Sequence, residues 1–246
     1  MTECWIDVLA VTPWIDPKVW FEFYCQAEEI LSAKLSSLDT NDPPRRKIKR
    51  TEFTQTGEFT TAFGSDEQSR WVFGRFMAAK VEFTLHHHSG LRSGERDLPN
   101  SLILYFPDGF CESDGGAEKV ERMFDLCNRL LNPFYSFSDL RNIIAQKKKP
   151  FGAVNIQEEL LGVFWLTFFN TKYVEYFGQE KMAGMPGASF DSDGVRLKLA
   201  KKPNDCTELE RKQLEVLLGA ESFVDPKVTI PKSVGRSVLS FAQLQP

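Results

Sequence analysis

Apolar residues along this chain follow two rhythms, a continuous or alternating one that suits strands and a three-and-four one that suits helices. Residues 4–11, Cys-Trp-Ile-Asp-Val-Leu-Ala-Val, are apolar on both faces, which predicts a central strand. Asp16 before Pro17 forms a cap followed by a proline at the first helical position. From there Trp20, Phe23, Tyr24, Ala27, Leu31, Leu35 and Leu38 recur at helical spacing, so an amphipathic helix is expected over residues 17–38. Phe53–Phe63 and Trp71–Leu85 read as strands. In the second, Val81, Phe83 and Leu85 share a face opposite Lys80, Glu82 and Thr84. Ser101–Phe106 is a short apolar strand, and Asp114 is expected to cap a helix bearing Val120, Phe124, Cys127 and Leu131 that Asn132-Pro133 stops. Phe134–Phe137 reads as a short edge strand and Asp139–Lys147 as a short helix, before an exposed boundary at Lys147–Pro150.

The second half repeats this grammar. Leu160–Phe169 predicts a buried strand, with Trp165 as central as Trp5 in the first. Asn170 caps a short helix that Gly178 stops. Asp191-Ser192-Asp193-Gly194 ends in Asp-Gly, a strong hairpin signal, and is followed by Val195, Leu197 and Leu199 facing in, with Arg196 and Lys198 facing out. Thr207 and Glu210 form a capping box that opens a last helix ending at Gly219, with Leu214, Leu217 and Leu218 on its buried side. The expected fold is α+β: a mostly antiparallel sheet with helices on one face and a β-α-β-β-α pseudo-repeat. Residues 1–222 are expected as one domain, with pseudo-halves 1–149 and 150–222, and residues 223–246 as a C-terminal tail wrapping the surface.

Composition narrows the function classes. Hydrophobic residues make up 42% and charged residues 26%, which suits a globular chain and excludes a disordered or coiled-coil one. No window offers the run of about 18 or more uncharged apolar residues that a membrane span needs. The opening Met1–Asp7 carries acids where an export signal carries Lys or Arg, and the five cysteines are isolated, so a cytoplasmic chain with free thiols is expected. Net charge is −4, so no direct nucleic-acid binding is expected. The basic run Arg45–Arg50 reads either as a phosphate patch or as a solvated loop, and no aromatic platform is interleaved with it.

No hydrolase, phosphate-loop or dinucleotide motif is present, so no catalytic residue, metal or cofactor is assigned and the chain is not expected to be an enzyme. The alternative reading is an enzyme or metal-binding protein using the triplet His86, His87 and His88. In a strand His86 and His88 point to one face, but no second ligand cluster follows. Paired carboxylates at Glu28-Glu29, Glu158-Glu159 and Asp191 with Asp193 read either as solvated faces or as an acidic rim that orients a basic partner.

The run Trp165–Lys181, with its Tyr173-Val174-Glu175 helix, then Asp193–Asp205 and Glu210–Gly219, resembles bacterial polymorphic-toxin immunity proteins, and among them the immunity protein 52 family. The resemblance covers residues 150–220 by motif and the first half by layout. It implies a cytoplasmic inhibitor that binds a cognate secreted toxin, a type VI secretion nuclease effector, and blocks it stoichiometrically. It carries over no catalytic residue and no interface map. Immunity by binding needs a partner-facing surface outside the core. The strand and helix periods offer Glu158, Glu159, Tyr173, Glu175, Asp191 and Asp193 for it.

Overall fold

The computed structural model describes residues 2–12, 14, 16–40, 42–45, 69–88, 99–147, 156–227 and 238–245. Strand β1 (Cys4–Ala10) leads to helix α1 (Pro17–Leu31), then to β2 (Ser37–Asp39), β3 (Ser69–Phe76), β4 (Val81–His88) and β5 (Asn100–Phe106). Helix α2 (Gly116–Leu131) closes this half. Strand β6 (Tyr135–Leu140), helix α3 (Arg141–Lys147) and strand β7 (Leu166–Asn170) follow. Then come α4 (Thr171–Phe177), α5 (Gln179–Ala183), β8 (Ala188–Phe190), β9 (Gly194–Lys198), α6 (Glu208–Leu218) and α7 (Phe241–Leu244). The strands form one sheet in the order β2-β3-β4-β5-β1-β6-β7-β9-β8, with every pairing antiparallel.

The α+β antiparallel class is as expected, and the winding recurs. β1 passes through a helix into a meander whose last strand, β5, returns to pair with β1. β7 passes through α4 and α5 into a hairpin whose last strand, β9, returns to pair with β7. The helices of each half keep to one face, but the two halves use opposite faces. Cys4, Ile6, Val8 and Ala10 point into a core with α1 and α2, while Trp5 and Leu9 point toward a second core with α4, α5 and α6. Alternation along β1 and β6 makes this possible, because each strand supplies both cores.

Several elements depart from their sequence patterns for local reasons. Helix α1 ends at Leu31, not residue 38: Ser32 is left-handed (φ 52°), and the Glu28 carboxylate draws the next segment back by accepting from the Leu35 N–H at 2.8 Å. Trp71–Leu85 is two strands, folded at Met77–Ala79 with Lys80 left-handed. At Gly74 an added Cβ would sit 2.1 Å from the Phe83 ring, so only glycine lets that ring cross β3. The N-cap of α2 is Gly115, with φ 68°, not Asp114. The ladder of β7 begins at Leu166. Residues 160–165 are buried but lie outside it, with Leu160 bridging Phe223. Leu217 is 54% exposed, so the buried side of α6 is Arg211, Leu214, Glu215 and Leu218. The tail is not merely superficial: Val238, Phe241 and Leu244 enter the second core. The strand expected over 53–63 and the basic run beyond Arg45 lie outside the described residues.

The two tryptophans differ. Trp165 is fully buried and donates from Nε1 to the Ala200 carbonyl at 3.0 Å. Trp5 is half-buried, edge-on to Tyr105 at 5.3 Å and under the Arg141 guanidinium at 5.2 Å.

The largest correction concerns residues 134–140. Tyr135–Leu140 form β6, a fully buried central strand between β1 and β7, not an edge. Its polar side chains are satisfied inside: Ser136 meets Asn128, and Asp139 meets Arg211 of α6. Arg211 Nε and Nη2 donate to Asp139 Oδ2 and Oδ1 at 2.9 and 3.0 Å, and the N–H groups of Trp165 and Leu140 donate to the same carboxylate at 2.9 and 2.8 Å. Replacing Arg211 by Met should leave that carboxylate buried without its counter-charge and cost about 3–5 kcal/mol. Urea unfolding measures it, and a loss near zero would contradict the assigned role.

Candidate functional site

The six partner-surface candidates separate on folding. Tyr173 and Glu159 are buried, so neither side chain faces a partner. Tyr173 packs between Phe134 and Phe177 because helix α4 turns Tyr173, Val174 and Phe177 inward together, and burial pushes its phenol up. Glu158 and Glu175 are exposed. Asp191 and Asp193 form the exposed turn of the β8–β9 hairpin and line a groove of about 580 Å³.

The hairpin sequence builds its own tip. Asp191 Oδ1 accepts from the backbone N–H groups of Asp193 and Gly194, both at 2.9 Å. A Cβ on Gly194 would sit 2.1 Å from the Phe169 carbonyl oxygen, so the Asp-Gly pair is needed where β9 turns onto β7. Across the groove stand Gln26 and Glu29 of α1, and Arg122, Asp125, Asn128 and Arg129 of α2. Phe168 and Arg196 supply its floor from β7 and β9. The groove therefore lies where the helices of the first half meet the hairpin of the second.

Ion pairs join these walls. Arg196 pairs with Glu121 and, through Nε, with Asp125 at 3.1 Å, while Lys198 Nζ reaches Glu121 at 2.6 Å. Arg129 donates to Gln26 Oε1 at 2.6 Å, tying α2 to α1. Burial is the largest influence on Asp125 and raises its carboxyl above the usual range; Arg196 opposes this, and the charges of Glu121 and Asp191 add to it. Burial also pushes on Glu121, but hydrogen bonds from Lys198 and Arg196 outweigh it and hold that carboxyl below its ordinary value.

Sequence reasoning found the hairpin carboxylates and the Glu28-Glu29 pair but missed Asp125 and Asn128. Asp125 and Asn128 lie three apart on the flank of a helix whose apolar stripe drew attention elsewhere, and only the tertiary fold brings the hairpin to them. His86 stacks on Trp71 at 3.9 Å between ring centres, so its ring packs on the outer sheet face. The side chains of His87 and His88 lie outside the described residues. No group of three or more His, Cys, Asp or Glu among the described residues is arranged for a metal ion. Two further exposed apolar surfaces are Trp71 with Phe73 on β3, and Leu209, Val216 and Leu217 on α6.

A carboxyl lowered on folding stabilises the fold above its unfolded pKa and loses that contribution as pH falls through its folded value. Glu121→Gln should therefore be less stable than the parent near neutral pH, and the two should converge as the medium is acidified below the ordinary carboxylate range. Thermal unfolding across pH checks this; a gap that widens in acid would contradict it.

No family profile matches the chain, and no curated protein matches it. Among solved structures the fold is similar to that of a Pseudomonas aeruginosa T6SS protein, PA0821. The TM-score is 0.61, with 13% identity, covering 98% of this chain and 80% of that one. At that identity the likeness is one of fold. Among the described residues no helix is long and apolar enough to cross a membrane.

Proposed function

We propose that this chain is a type VI secretion immunity protein, which neutralises a cognate secreted toxin in the cytoplasm by stoichiometric binding and not by catalysis. The observation that carries the reading is the fold shared with a T6SS protein over nearly the whole chain. The resemblance of residues 150–220 to the immunity protein 52 family supports the finer assignment. The groove adds a physical reason. A nuclease holds phosphates with Lys and Arg, so its cleft attracts carboxylates such as Asp191 and Asp193.

Inhibition of this kind needs no cofactor and no acid–base pair. It needs a surface that is already formed before the partner arrives, because ordering loops on binding would consume affinity. The hairpin tip, fixed by its own Asx hydrogen bonds and tied through Arg196 to α2, meets that requirement.

Co-expression with a candidate cognate toxin tests the proposal. Growth should be restored, and the two chains should elute together as an equimolar complex. A toxin that remains lethal and elutes apart from this chain would overturn the reading.

A further inference from the structure

The start of β1 is clamped by the turn that follows β5. Cys4 faces Phe106 across the β1–β5 ladder, and the chain doubles back within a few residues. Thr2 Oγ1 donates to Asp108 Oδ1 at 2.7 Å and accepts from the Gly109 N–H at 2.9 Å. The Thr2 backbone N–H donates to the same carboxylate. The Phe110 N–H donates to the Pro107 carbonyl at 3.0 Å and the Glu112 N–H to the Gly109 carbonyl at 3.1 Å, which tightens Phe110–Glu112 into a 3-10 turn. Cys111 is the buried residue of that turn, and the reversal carries it back onto Cys4.

The two thiols touch. Cys4 and Cys111 are 0% and 1% exposed, belong to the same core and share a side-chain hydrogen bond. Burial, and after it the Cys111 thiol, raise the Cys4 thiol well above its ordinary value. Ser138 Oγ holds Cys4 Sγ from the β6 side at 3.5 Å. The remaining cysteines lie elsewhere: Cys206 Sγ turns to the Lys202 carbonyl at 4.0 Å, Cys127 sits on α2, and Cys25 is exposed on α1. Two thiols already in contact reach the ~2.0 Å of a disulfide by small side-chain rotations.

We infer that Cys4 and Cys111 are a disulfide-forming pair, a covalent clasp between the start of β1 and the turn after β5 that a small-molecule disulfide such as oxidised glutathione closes. One thiolate of the pair attacks glutathione disulfide, forms a mixed disulfide and releases one glutathione. The other thiolate attacks the protein sulfur of that mixed disulfide and expels the second glutathione. Two electrons pass from the pair to glutathione disulfide, and the two departing glutathione thiolates take up the two thiol protons. The inference stands apart from the immunity reading, because it concerns the chain's own oxidation state. Closure joins residue 4 to residue 111, and a loop that long removes more freedom from the unfolded chain than a short one. Both sulfurs are buried, so oxidant and reductant reach them only when the first residues of β1 lift away. The clasp therefore stays open in a reducing compartment and, once closed, resists reductant while the chain is folded.

The reduced full-length chain is equilibrated with a strongly oxidising mixture of oxidised and reduced glutathione, at a urea concentration just below its unfolding transition, where local opening is frequent. It is then alkylated without reduction and digested with trypsin, which places the five cysteines on separate peptides. Mass spectrometry should find Met1–Lys18 joined to Asp97–Lys119, with Cys127 and Cys206 alkylated. The oxidised parent should unfold about 5–10 °C higher than the reduced parent. Cys111→Ala should lose that difference and Cys127→Ala should keep it. The peptide mapping needs no variant, so it decides the matter even if Cys111→Ala folds poorly. Cys4 and Cys111 both recovered alkylated, either one capped by glutathione alone, or a dominant link between other cysteines would overturn the inference. A joined pair that lowers the unfolding temperature would overturn the clasp as well, since the bond would then strain the fold.

Discussion

One carboxylate organises the junction of this molecule. Asp139 sits at the end of β6 with no solvent exposure and is held by Arg211 of α6 and by the N–H groups of Trp165 and Leu140. Burying the two ions separately would cost several kcal/mol each, so either alone would disfavour the fold. Together, with the Cys206 carbonyl accepting from Arg211 Nη1 at 2.8 Å, they fix α6 over β6 and set the chain's path into β7. Burial pushes Asp139 upward even so, with Arg211 the chief opposing influence. One turn further along α6, Glu215 repeats the device: it accepts from Lys147 Nζ at 2.6 Å and from the Val163 N–H at 3.0 Å.

The groove inherits its shape from that junction. β7 emerges beside Trp165 and pairs with β9, and β9 carries Arg196 and Lys198 across to Glu121 and Asp125 on α2. The hairpin tip is thus tied to the first half by charge and to the second by its strand ladder. A surface set between two such anchors changes little when a partner arrives, which suits tight and specific binding.

The sequence made the regular parts legible. The Thr207 and Glu210 capping box, the Asn170 cap and the Asp-Gly hairpin all stand where local chemistry places them, because each is decided by neighbours a few residues apart. Strand β6 was legible only in part: Phe134–Phe137 reads as a strand, but Tyr-Ser-Phe-Ser-Asp-Leu looks like a half-exposed edge until Asn128 and Arg211, distant in sequence, satisfy its polar groups. The same limit applies to the site. Asp191 and Asp193 are readable as a turn, but Asp125, Asn128 and Glu29 become their neighbours only through the sheet order, which no local pattern encodes. Tyr173 misled for the opposite reason, since a short helix beside the sheet turns even its tyrosine inward.

The groove competes as an interface with the exposed apolar residues of α6 and with the Trp71–His86 stack on the outer sheet face. Hydrogen–deuterium exchange of the full chain, alone and with the toxin proposed as its partner, compares the three directly. The account predicts slowed exchange in residues 122–129 and 189–196, with α6 and the β3–β4 face unchanged. Slowing confined to residues 209–217 or 71–86, with the groove exchanging as freely as in the unbound chain, would contradict it.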